Sequence, residues 1–513
     1  MKYLARTGVV VGAILLLTAC RGADDARKPK ELLQYIPADT PYVMAFTRPL
    51  PDDLLDKIEP ALDETLTAYR SLMEMVVEDT AAKMAKEEGR QEEAERFEAF
   101  MTEAMALMST EGLKNAGLDR DSLFAFYGDG LLPVIRLALS DGDKFAATVA
   151  RLEAAAGEEL LVAELDDVPY RYWDFEGKAR LIIATPGDDA IITVVPTAFD
   201  DTRLARTLGI EKPRESLAGS KELGRIAEQY DFTDHWVSFF DMQRIAASFL
   251  GDPSGLNTEL LDLMNFDASE IDATCRAEFA GLAAIAPRVV LGYTDVNDER
   301  IDTRMVVELR DDIAAGLATL PAAVPGLGPD PGGLFSFGFS LDPMALREFY
   351  EARLDAMEAD PFECEQLAEL QASTVKGREV LAQPIPPVVY NFRGIFANVI
   401  DVAGFDMAAK MPPESLDATI LFAMENAQDV VNMAALMNPQ IAALNLLPDG
   451  EARMLDLPEL GEFAGQAFAA LTNSGLAVAL GESAEREAEA ALQADVSSPQ
   501  PLMSLSMDAA RYY

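Results

Sequence analysis

The sequence predicts an α+β fold in which antiparallel sheets are flanked by helices. Three observations support this prediction: a long helical stretch near the N-terminus, apolar runs joined in pairs by short polar turns, and a loosely repeated strand-turn-helix unit. Runs joined by short turns pair as hairpins, so antiparallel sheets are favoured over a doubly wound parallel sheet. With 513 residues, half of them hydrophobic, the chain can bury a large core.

Residues 52–108 are predicted to form a helical hairpin inserted into the first half of the chain. Gly89 is expected to break this stretch into two helices, and Pro60 to kink the first helix or to begin it again. The methionines of the stretch are expected to fill gaps in the core rather than to form a pliable binding surface. Apolar residues recur at the three-to-four spacing of an amphipathic helix: Leu54, Leu55, Ile58, Leu62, Leu66, Tyr69, Leu72, Met73 and Val76.

The repeated unit is an alternating apolar strand, a turn, and an amphipathic helix. It predicts two structurally related halves, 31–252 and 253–513. Acidic and hydroxyl side chains at the turns are interpreted as helix N-caps rather than site residues, because they accept hydrogen bonds from unpaired N–H groups at a helix start; these are Asp143, Asp241, Asp342 and Ser483. The unit occurs at residues 41–58, 133–152, 235–250, 333–350, 417–436 and 475–492, and residues 501–513 contain its strand and the first turn of its helix.

Two further segments have the pattern of β-hairpins. Residues 179–197 contain two apolar runs joined across Pro186, Gly187 and Asp188, and residues 288–309 contain two strands around a polar turn.

The N-terminus has the pattern of a secretory signal. Lys2 and Arg6 precede an apolar run at residues 9–17, which is shorter than the roughly 20 residues that a membrane-spanning helix needs. Residues 1–19 are therefore predicted to be a signal peptide. The sequence LTAC at residues 17–20 resembles the lipobox of bacterial lipoproteins, in which a leucine lies three positions before an invariant cysteine.

The lipobox resemblance implies that Cys20 becomes the first residue and carries the lipid. Its thiol would be diacylated and its new amino group acylated, and more than one acyl chain is what stable anchoring requires. Arg21 stands where an Asp commonly retains a lipoprotein in the inner membrane, so the outer membrane, on its periplasmic side, is expected; the cell surface and the inner membrane are the alternatives. Residues 20–30 are polar and lack periodicity, which indicates a tether.

Two other cysteines, Cys275 and Cys364, are a candidate disulfide pair. An even number of cysteines in an oxidising compartment favours pairing, and the bond would close a loop of about 90 residues. Two separately buried thiols are the alternative.

The charge of the chain argues against nucleic acid as a partner. Its 42 basic and 87 acidic residues give a net charge of −45, which becomes −47 without Lys2 and Arg6. Phosphate binding needs clustered Lys and Arg, and the sequence contains no basic patch. The acidic surface is interpreted mainly as one that keeps the protein dispersed, and loose binding of divalent cations or of a cationic partner is the alternative.

The sequence contains only weak matches to catalytic and metal-binding motifs. His235 is the only histidine, and it is interpreted as a structural residue at the start of a strand. Ser373 and Lys376 have the SxxK spacing of penicillin-recognising enzymes, but the SDN and KTG partners of that motif are missing. Residues 295–302, with Asp295, Asn297 and Glu299, have some features of a calcium loop, yet a solvated hairpin turn is favoured. The sequence therefore predicts no catalytic residue, no metal site and no cofactor.

Segments 35–51, 131–145 and 286–295, above all PADTPYV within the first, resemble a family of uncharacterised secreted or lipid-anchored bacterial proteins with a domain of unknown function. That resemblance implies no activity and no site residues. The leading hypothesis is a non-enzymatic scaffold or binding module with an envelope protein partner. The alternatives are a carrier or chaperone for an apolar ligand such as a lipid and, less favoured, a carboxylate-based hydrolase.

Overall fold

The computed structural model describes residues 32–86, 89–120, 122–251, 257–298, 300–328, 332–404, 414–437, 439–455 and 465–508. The predicted signal peptide at residues 1–19, the tether at residues 20–30 and Cys20 lie outside these residues. The chain divides into two units, the first ending at Arg310 and the second beginning at Asp311. Each unit contains helices and one antiparallel sheet, so the predicted α+β class is confirmed.

The first unit contains a ten-stranded antiparallel sheet in the described part of the chain. Its spatial order is β10-β9-β8-β1-β2-β3-β7-β6-β5-β4, which places β1 between β8 and β2. In chain order the strands are β1 (Tyr42–Phe46), β2 (Phe124–Asp129), β3 (Leu132–Ala138), β4 (Leu161–Leu165), β5 (Val168–Phe175), β6 (Ala179–Ala184), β7 (Asp189–Pro196), β8 (Trp236–Asp241), β9 (Arg288–Val296) and β10 (Ile301–Glu308).

Helices cover both faces of this sheet near its centre. Phe124, Ile135 and Leu137 pack against Phe145 and Val149 of a helix on one face, and the opposite face holds the larger core cluster. The helices of the unit are α1 (Asp52–Ala85), α2 (Gln91–Ala106), α3 (Thr110–Asn115), α4 (Gly142–Ala156), α5 (Asp201–Thr207), α6 (Leu217–Ser220), α7 (Glu222–Tyr230), α8 (Met242–Phe249), α9 (Thr258–Leu263) and α10 (Ala273–Ala283), with 3₁₀ turns at Leu32–Gln34 and Ala268–Glu270.

The predicted helical hairpin is present as α1 and α2. Gly89 lies between them with a φ of +81°, a left-handed conformation that glycine adopts at low cost. Pro60 lies inside α1, which continues through it as one helix, so a new helix does not begin there. The two helices bury a shared cluster that contains Leu66, Val77, Met101, Met105 and Met108, as expected for methionines that fill a core.

In the residues of the second unit that the structure describes, seven strands form an antiparallel sheet in the order β14-β15-β16-β13-β12-β11-β17. The strands are β11 (Phe335–Ser340), β12 (Phe392–Ala403), β13 (Ser415–Met424), β14 (Arg453–Leu455), β15 (Ala467–Thr472), β16 (Gly475–Leu480) and β17 (Met503–Met507). The helices are α11 (Asp311–Leu317), α12 (Pro343–Ala359), α13 (Ala368–Leu381), α14 (Pro387–Asn391), α15 (Ala427–Met437), α16 (Pro439–Ala443) and α17 (Ala484–Gln493), with a 3₁₀ turn at Glu365–Leu367.

Helices α15 and α17 pack on opposite faces of the second sheet. Val431 of α15 lies in a cluster with Leu471 of β15, whereas Ala484 and Ala488 of α17 pack against Phe468 on the other face of the same strand. Since successive residues of a strand point to opposite faces, both faces of β15 are buried.

Each of the six complete strand-turn-helix segments contains a strand followed by a helix. Whether the segments are repeats of one another stays a prediction. Asp241 and Asp342 cap their helices as predicted, since they accept hydrogen bonds from the N–H groups of Arg244 and Met344.

Two predicted caps are wrong. Asp141, rather than Asp143, caps α4, because its carboxylate accepts the N–H groups of Asp143 and Lys144. Ser483 precedes α17 without a hydrogen bond from its side chain to the helix.

Both predicted β-hairpins are present, as β6–β7 and as β9–β10. The second hairpin pairs with β8 and so extends the first sheet. For that reason the division between the compact units lies at Arg310, whereas the sequence prediction placed the boundary of the halves near residue 252.

Candidate functional site

Of the predicted site residues, Cys275 and Cys364 are joined in a disulfide bond, which confirms the predicted pair. Cys275 lies in the first turn of α10, where its N–H group donates a hydrogen bond to the capping carboxylate of Asp272. Cys364 lies just before the 3₁₀ turn Glu365–Leu367. Both cysteines are buried.

His235 directly precedes β8 and is buried, as expected for a structural histidine. Its Nδ1 lies 3.2 Å from the hydroxyl of Thr233, and its main-chain carbonyl accepts hydrogen bonds from the N–H groups of Thr47 and Arg48. Burial lowers the pKa of the imidazole, and the positive charge of Arg48 lowers it further, while Asp234 opposes this shift. The ring is therefore held in its neutral form at neutral pH.

The two weak motifs have ordinary structural partners. The hydroxyl of Ser373 lies in α13 and donates to the carbonyl of Leu370 at 2.6 Å, as helical serines commonly do. In the β9–β10 turn the carboxylate of Asp295 accepts hydrogen bonds from Asn297 and Arg300, and Glu299 lies outside the described residues. Within the described ranges no three His, Cys, Asp or Glu side chains are grouped to hold a metal ion.

Sequence reasoning missed a buried ion pair between Arg136 of β3 and Asp189 of β7. The guanidinium lies 2.7 Å from the carboxylate, and the two side chains are 1% and 7% exposed. The guanidinium also lies over the ring of Tyr35, 4.1 Å from its centroid, and a Cβ at Gly209 would collide with it. The sequence does contain an indication of this pair. Arg136 interrupts the apolar run PVIRLAL, and a charge buried in such a run requires a partner of opposite charge.

A second charged group ties α7, α8, β9 and β10 together. Glu222 accepts two hydrogen bonds from Arg244, and Glu308 pairs with Arg288 at 2.7 Å. The hydroxyl of Tyr230 also donates to Glu308 at 2.6 Å. Burial first, and then this hydrogen bond to an anion, raises the pKa of Tyr230 to about 12. Since these charges neutralise one another within the unit, the group is interpreted as structural.

The most prominent exposed feature of the first unit is an apolar surface on α1, formed by Tyr69, Leu72, Met75 and Val76. We call these four residues the α1 stripe. They are between 52% and 61% exposed. At 100° per residue they cover an arc of about 120° on the helix surface, beside the face that buries Leu66.

The surroundings of the α1 stripe are acidic. Residues 59–80 contain one basic side chain, Arg70, which lies 3.9 Å from the carboxylate of Glu74. The same residues contain six acidic side chains: Glu59, Asp63, Glu64, Glu74, Glu78 and Asp79. Glu59 pairs with Arg120 and Asp63 bonds to Thr110, so the exposed negative charge beside the α1 stripe comes from the other four acidic side chains.

Sequence reasoning placed Tyr69, Leu72 and Val76 on one apolar face of the helix but did not foresee their exposure. The expectation that the methionines lie in the core holds for Met105 but not for Met75, which is 61% exposed. The apolar arc of α1 is wider than its packing within the hairpin covers. The width of this apolar arc is the feature of the sequence that could have indicated an exposed apolar surface.

No family model matches this chain, and no curated protein or solved structure matches it either. The family resemblance of the segments around residues 35–51, 131–145 and 286–295 therefore stays a prediction. In the part of the chain that the structure describes, no helix has both the length and the apolarity needed to cross a membrane.

Proposed function

We propose that this chain is a lipid-anchored binding module of the bacterial envelope, which acts through protein contacts rather than through chemistry of its own. The α1 stripe is the surface that docks the partner. The partner is an envelope protein with an apolar groove bordered by Lys and Arg side chains.

The exposure of the α1 stripe is the observation that carries the proposal. Four large apolar side chains, each at least half exposed, amount to roughly 350 Å² of contiguous apolar surface, the size of patch that is often functional on a soluble protein. Tyr69, Leu72 and Val76 follow the i, i+3, i+7 spacing by which helices dock into grooves. Tyrosine is also enriched among the residues that dominate binding energy.

Charge selects the kind of partner. Four acidic side chains, Glu64, Glu74, Glu78 and Asp79, are exposed on the same stretch of α1 as the stripe, and the whole chain has a net charge of −45. A basic border on the partner would be steered toward this surface and would pair with it, whereas an acidic border would be repelled. Raising the ionic strength is therefore expected to slow the association.

The sequence supports the location of the module. Diacylation of Cys20 and acylation of its amino group would anchor the chain in the outer membrane, facing the periplasm. The polar tether at residues 20–30 would then let the folded units reach a partner near the membrane surface.

Crosslinked capture from membranes tests the proposal with two variants that make the same change in charge. Leu72→Lys places a cation in the α1 stripe, and Val162→Lys places one on β4, where Val162 is 70% exposed. Membranes from cells that produce each tagged chain are treated with a carbodiimide, which couples carboxylates of this chain to lysines of the partner, and the captured proteins are compared by mass spectrometry.

We expect one basic protein to be captured with the unmodified chain and with Val162→Lys, and to fall at least tenfold with Leu72→Lys. Equal capture by all three chains would show that the partner binds elsewhere. Reproducible failure of the unmodified chain to capture any specific protein would contradict the proposed function.

A further inference from the structure

The last described strand, β17, lies at an edge of the second sheet. It pairs with β11 in an antiparallel register that places Leu505 opposite Phe337. Among the described residues it has a strand neighbour on this side only. Such an edge exposes N–H and C=O groups that can pair with another strand.

The hydrogen bonds to β11 show which main-chain groups face the open edge. Ser340 donates to the carbonyl of Leu502, and Asp508 donates to the carbonyl of Leu334. In an antiparallel pair, hydrogen-bonded and non-hydrogen-bonded residues alternate, so the even-numbered residues of β17 bond to β11. The N–H and C=O groups of Met503, Leu505 and Met507 therefore point outward.

The same three residues carry the exposed side chains of the strand. Met503, Leu505 and Met507 are 64%, 66% and 49% exposed. Ser504 and Ser506 are less exposed, and the hydroxyl of Ser504 donates to the carbonyl of Gly328. Apolar side chains and outward main-chain groups thus belong to the same three positions.

Edge strands are commonly protected from pairing by charged residues or by a proline on the strand. Residues 496–507 contain no charged side chain, although a quarter of the whole chain is charged. The prolines at positions 499 and 501 precede β17 and leave its own N–H groups intact. Strand β17 itself therefore carries none of the charged or proline residues that commonly protect an edge, and its own side chains add no charge repulsion between two copies.

The sequence of β17 is Met-Ser-Leu-Ser-Met, which reads the same in both directions. Two copies placed antiparallel around Leu505 would bring Leu505 opposite Leu505 and Met503 opposite Met507. Every outward N–H group would meet an outward C=O group, which gives six hydrogen bonds in this register. A strand that complements itself in this way matches the isologous contact of a two-fold dimer.

We propose that β17 pairs with β17 of a second copy of this chain, in the antiparallel register centred on Leu505. The exposed parts of Met503, Leu505, Met507 and Leu502 would bury roughly 700 Å² in total, below the approximately 1,000 Å² of a stable interface. The pairing is therefore weak in dilute solution. Confinement of both copies to one membrane raises their effective concentration, and this step rests on the proposed anchor.

Single cysteines in the full-length chain test the register. Leu505→Cys places two thiols across the two-fold axis, where the Cα atoms of a hydrogen-bonded pair are about 5.5 Å apart, a distance that a disulfide spans. Met503→Cys is the matched control, because two copies of residue 503 would be about 14 Å apart along the strands. Isolated membranes are oxidised with copper phenanthroline and analysed on non-reducing gels beside the unmodified chain.

We expect Leu505→Cys to form a covalent dimer with a yield at least tenfold above that of Met503→Cys or the unmodified chain. The double variant Met503→Cys/Met507→Cys is expected to form a dimer where neither single change does, which provides a second test if Leu505→Cys is produced poorly. Absence of a dimer from both Leu505→Cys and the double variant, or equal yields from Leu505→Cys and Met503→Cys, would overturn the proposal.

Membrane fractionation separates failure of this proposal from failure of the anchor. A chain that sediments with membranes and gives no Leu505→Cys dimer contradicts the β17 pairing alone. A chain found free of membranes contradicts the anchor, whatever the crosslinking shows.

Discussion

At the scale of single residues, the buried ion pair of Arg136 and Asp189 gives the clearest energetic expectation. Arg136→Ala would leave the Asp189 carboxylate buried beside apolar strands without its cation. Removal of one partner of such a pair costs about 3–5 kcal/mol of the free energy of unfolding. The matched control is Arg151→Ala, whose ion pair with Glu103 is half exposed and is worth less than about 1 kcal/mol.

Urea unfolding followed by circular dichroism measures both changes. Equal losses from Arg136→Ala and Arg151→Ala would mean that water reaches Asp189, contrary to its burial in the structure.

His235 is expected to make the free energy of unfolding depend on pH in a defined direction. Burial and Arg48 lower the pKa of its imidazole in the folded state, whereas in the unfolded chain the pKa stays near 6.5. Below pH 6.5 the unfolded state therefore binds more protons, and the contribution of His235 to stability falls as the pH drops toward its folded pKa. Above pH 7 both states are neutral and this contribution is constant.

The variant His235→Asn isolates that contribution from those of the many carboxylates. We expect the difference in unfolding free energy between the unmodified chain and His235→Asn to stay constant from pH 7 to 8.5. It should then shift in favour of the variant as the pH falls from 6.5 to 5. A difference that does not change over this range would rule out the lowered pKa.

At the scale of elements, the sequence predicted the helical hairpin, both β-hairpins and two of the four named caps. These features depend on local spacing, such as three-to-four periodicity in a helix or an acidic residue before a helix start, and local spacing is visible in the chain. Asp141 and Asp143 flank Gly142, and the spacing alone does not show which of these two carboxylates precedes the first helical residue. Ser483 has the right position, but its hydroxyl does not bond to the helix.

The α1 stripe was harder to predict, because the exposure of a helix face depends on which other elements pack against it. The periodicity of α1 shows where apolar residues lie but not how much of that arc α2 buries. For this reason the exposure of Tyr69, Leu72 and Val76 appears only in the structure. The partner of Arg136 lies 53 residues further along the chain, and β3–β7 pairing was not part of the prediction.

Substitution of two leucines of α1 should distinguish its buried face from the exposed α1 stripe. Leu66 lies in the core of the hairpin, so Leu66→Ala is expected to reduce the free energy of unfolding by about 2–5 kcal/mol. Leu72 is half exposed, so Leu72→Ala should change stability by less than about 0.5 kcal/mol. Thermal and urea unfolding of the two variants would measure this contrast, and a large loss from Leu72→Ala would show that the α1 stripe is covered within the molecule.

At the scale of the whole molecule, a predicted membrane anchor precedes two folded units, each of which contains an antiparallel sheet. The anchor is predicted from the signal-peptide pattern of residues 1–19 and from LTAC at residues 17–20. Cys20→Ala removes the thiol that is predicted to be acylated. We expect the variant to lose metabolic labelling with palmitate and to lose at least tenfold of its membrane-bound fraction, since stable anchoring needs more than one acyl chain.

Cell fractionation with palmitate labelling checks this expectation, and Cys275→Ser provides the control for removal of a cysteine outside the lipobox. Palmitate labelling that persists in Cys20→Ala would place the lipid at another residue.

The proposed binding of an envelope protein by the α1 stripe can be examined inside the cell. Site-specific photocrosslinking in living cells tests it most directly, with a photoreactive phenylalanine analogue placed at Leu72, at Val76 or at Glu98, an exposed position on α2. We expect the analogue at Leu72 and at Val76 to crosslink to the same protein, and the analogue at Glu98 not to crosslink to it. Crosslinking that is equal at all three positions, or absent at Leu72 and Val76 in chains that reach the membrane, would contradict the proposed binding.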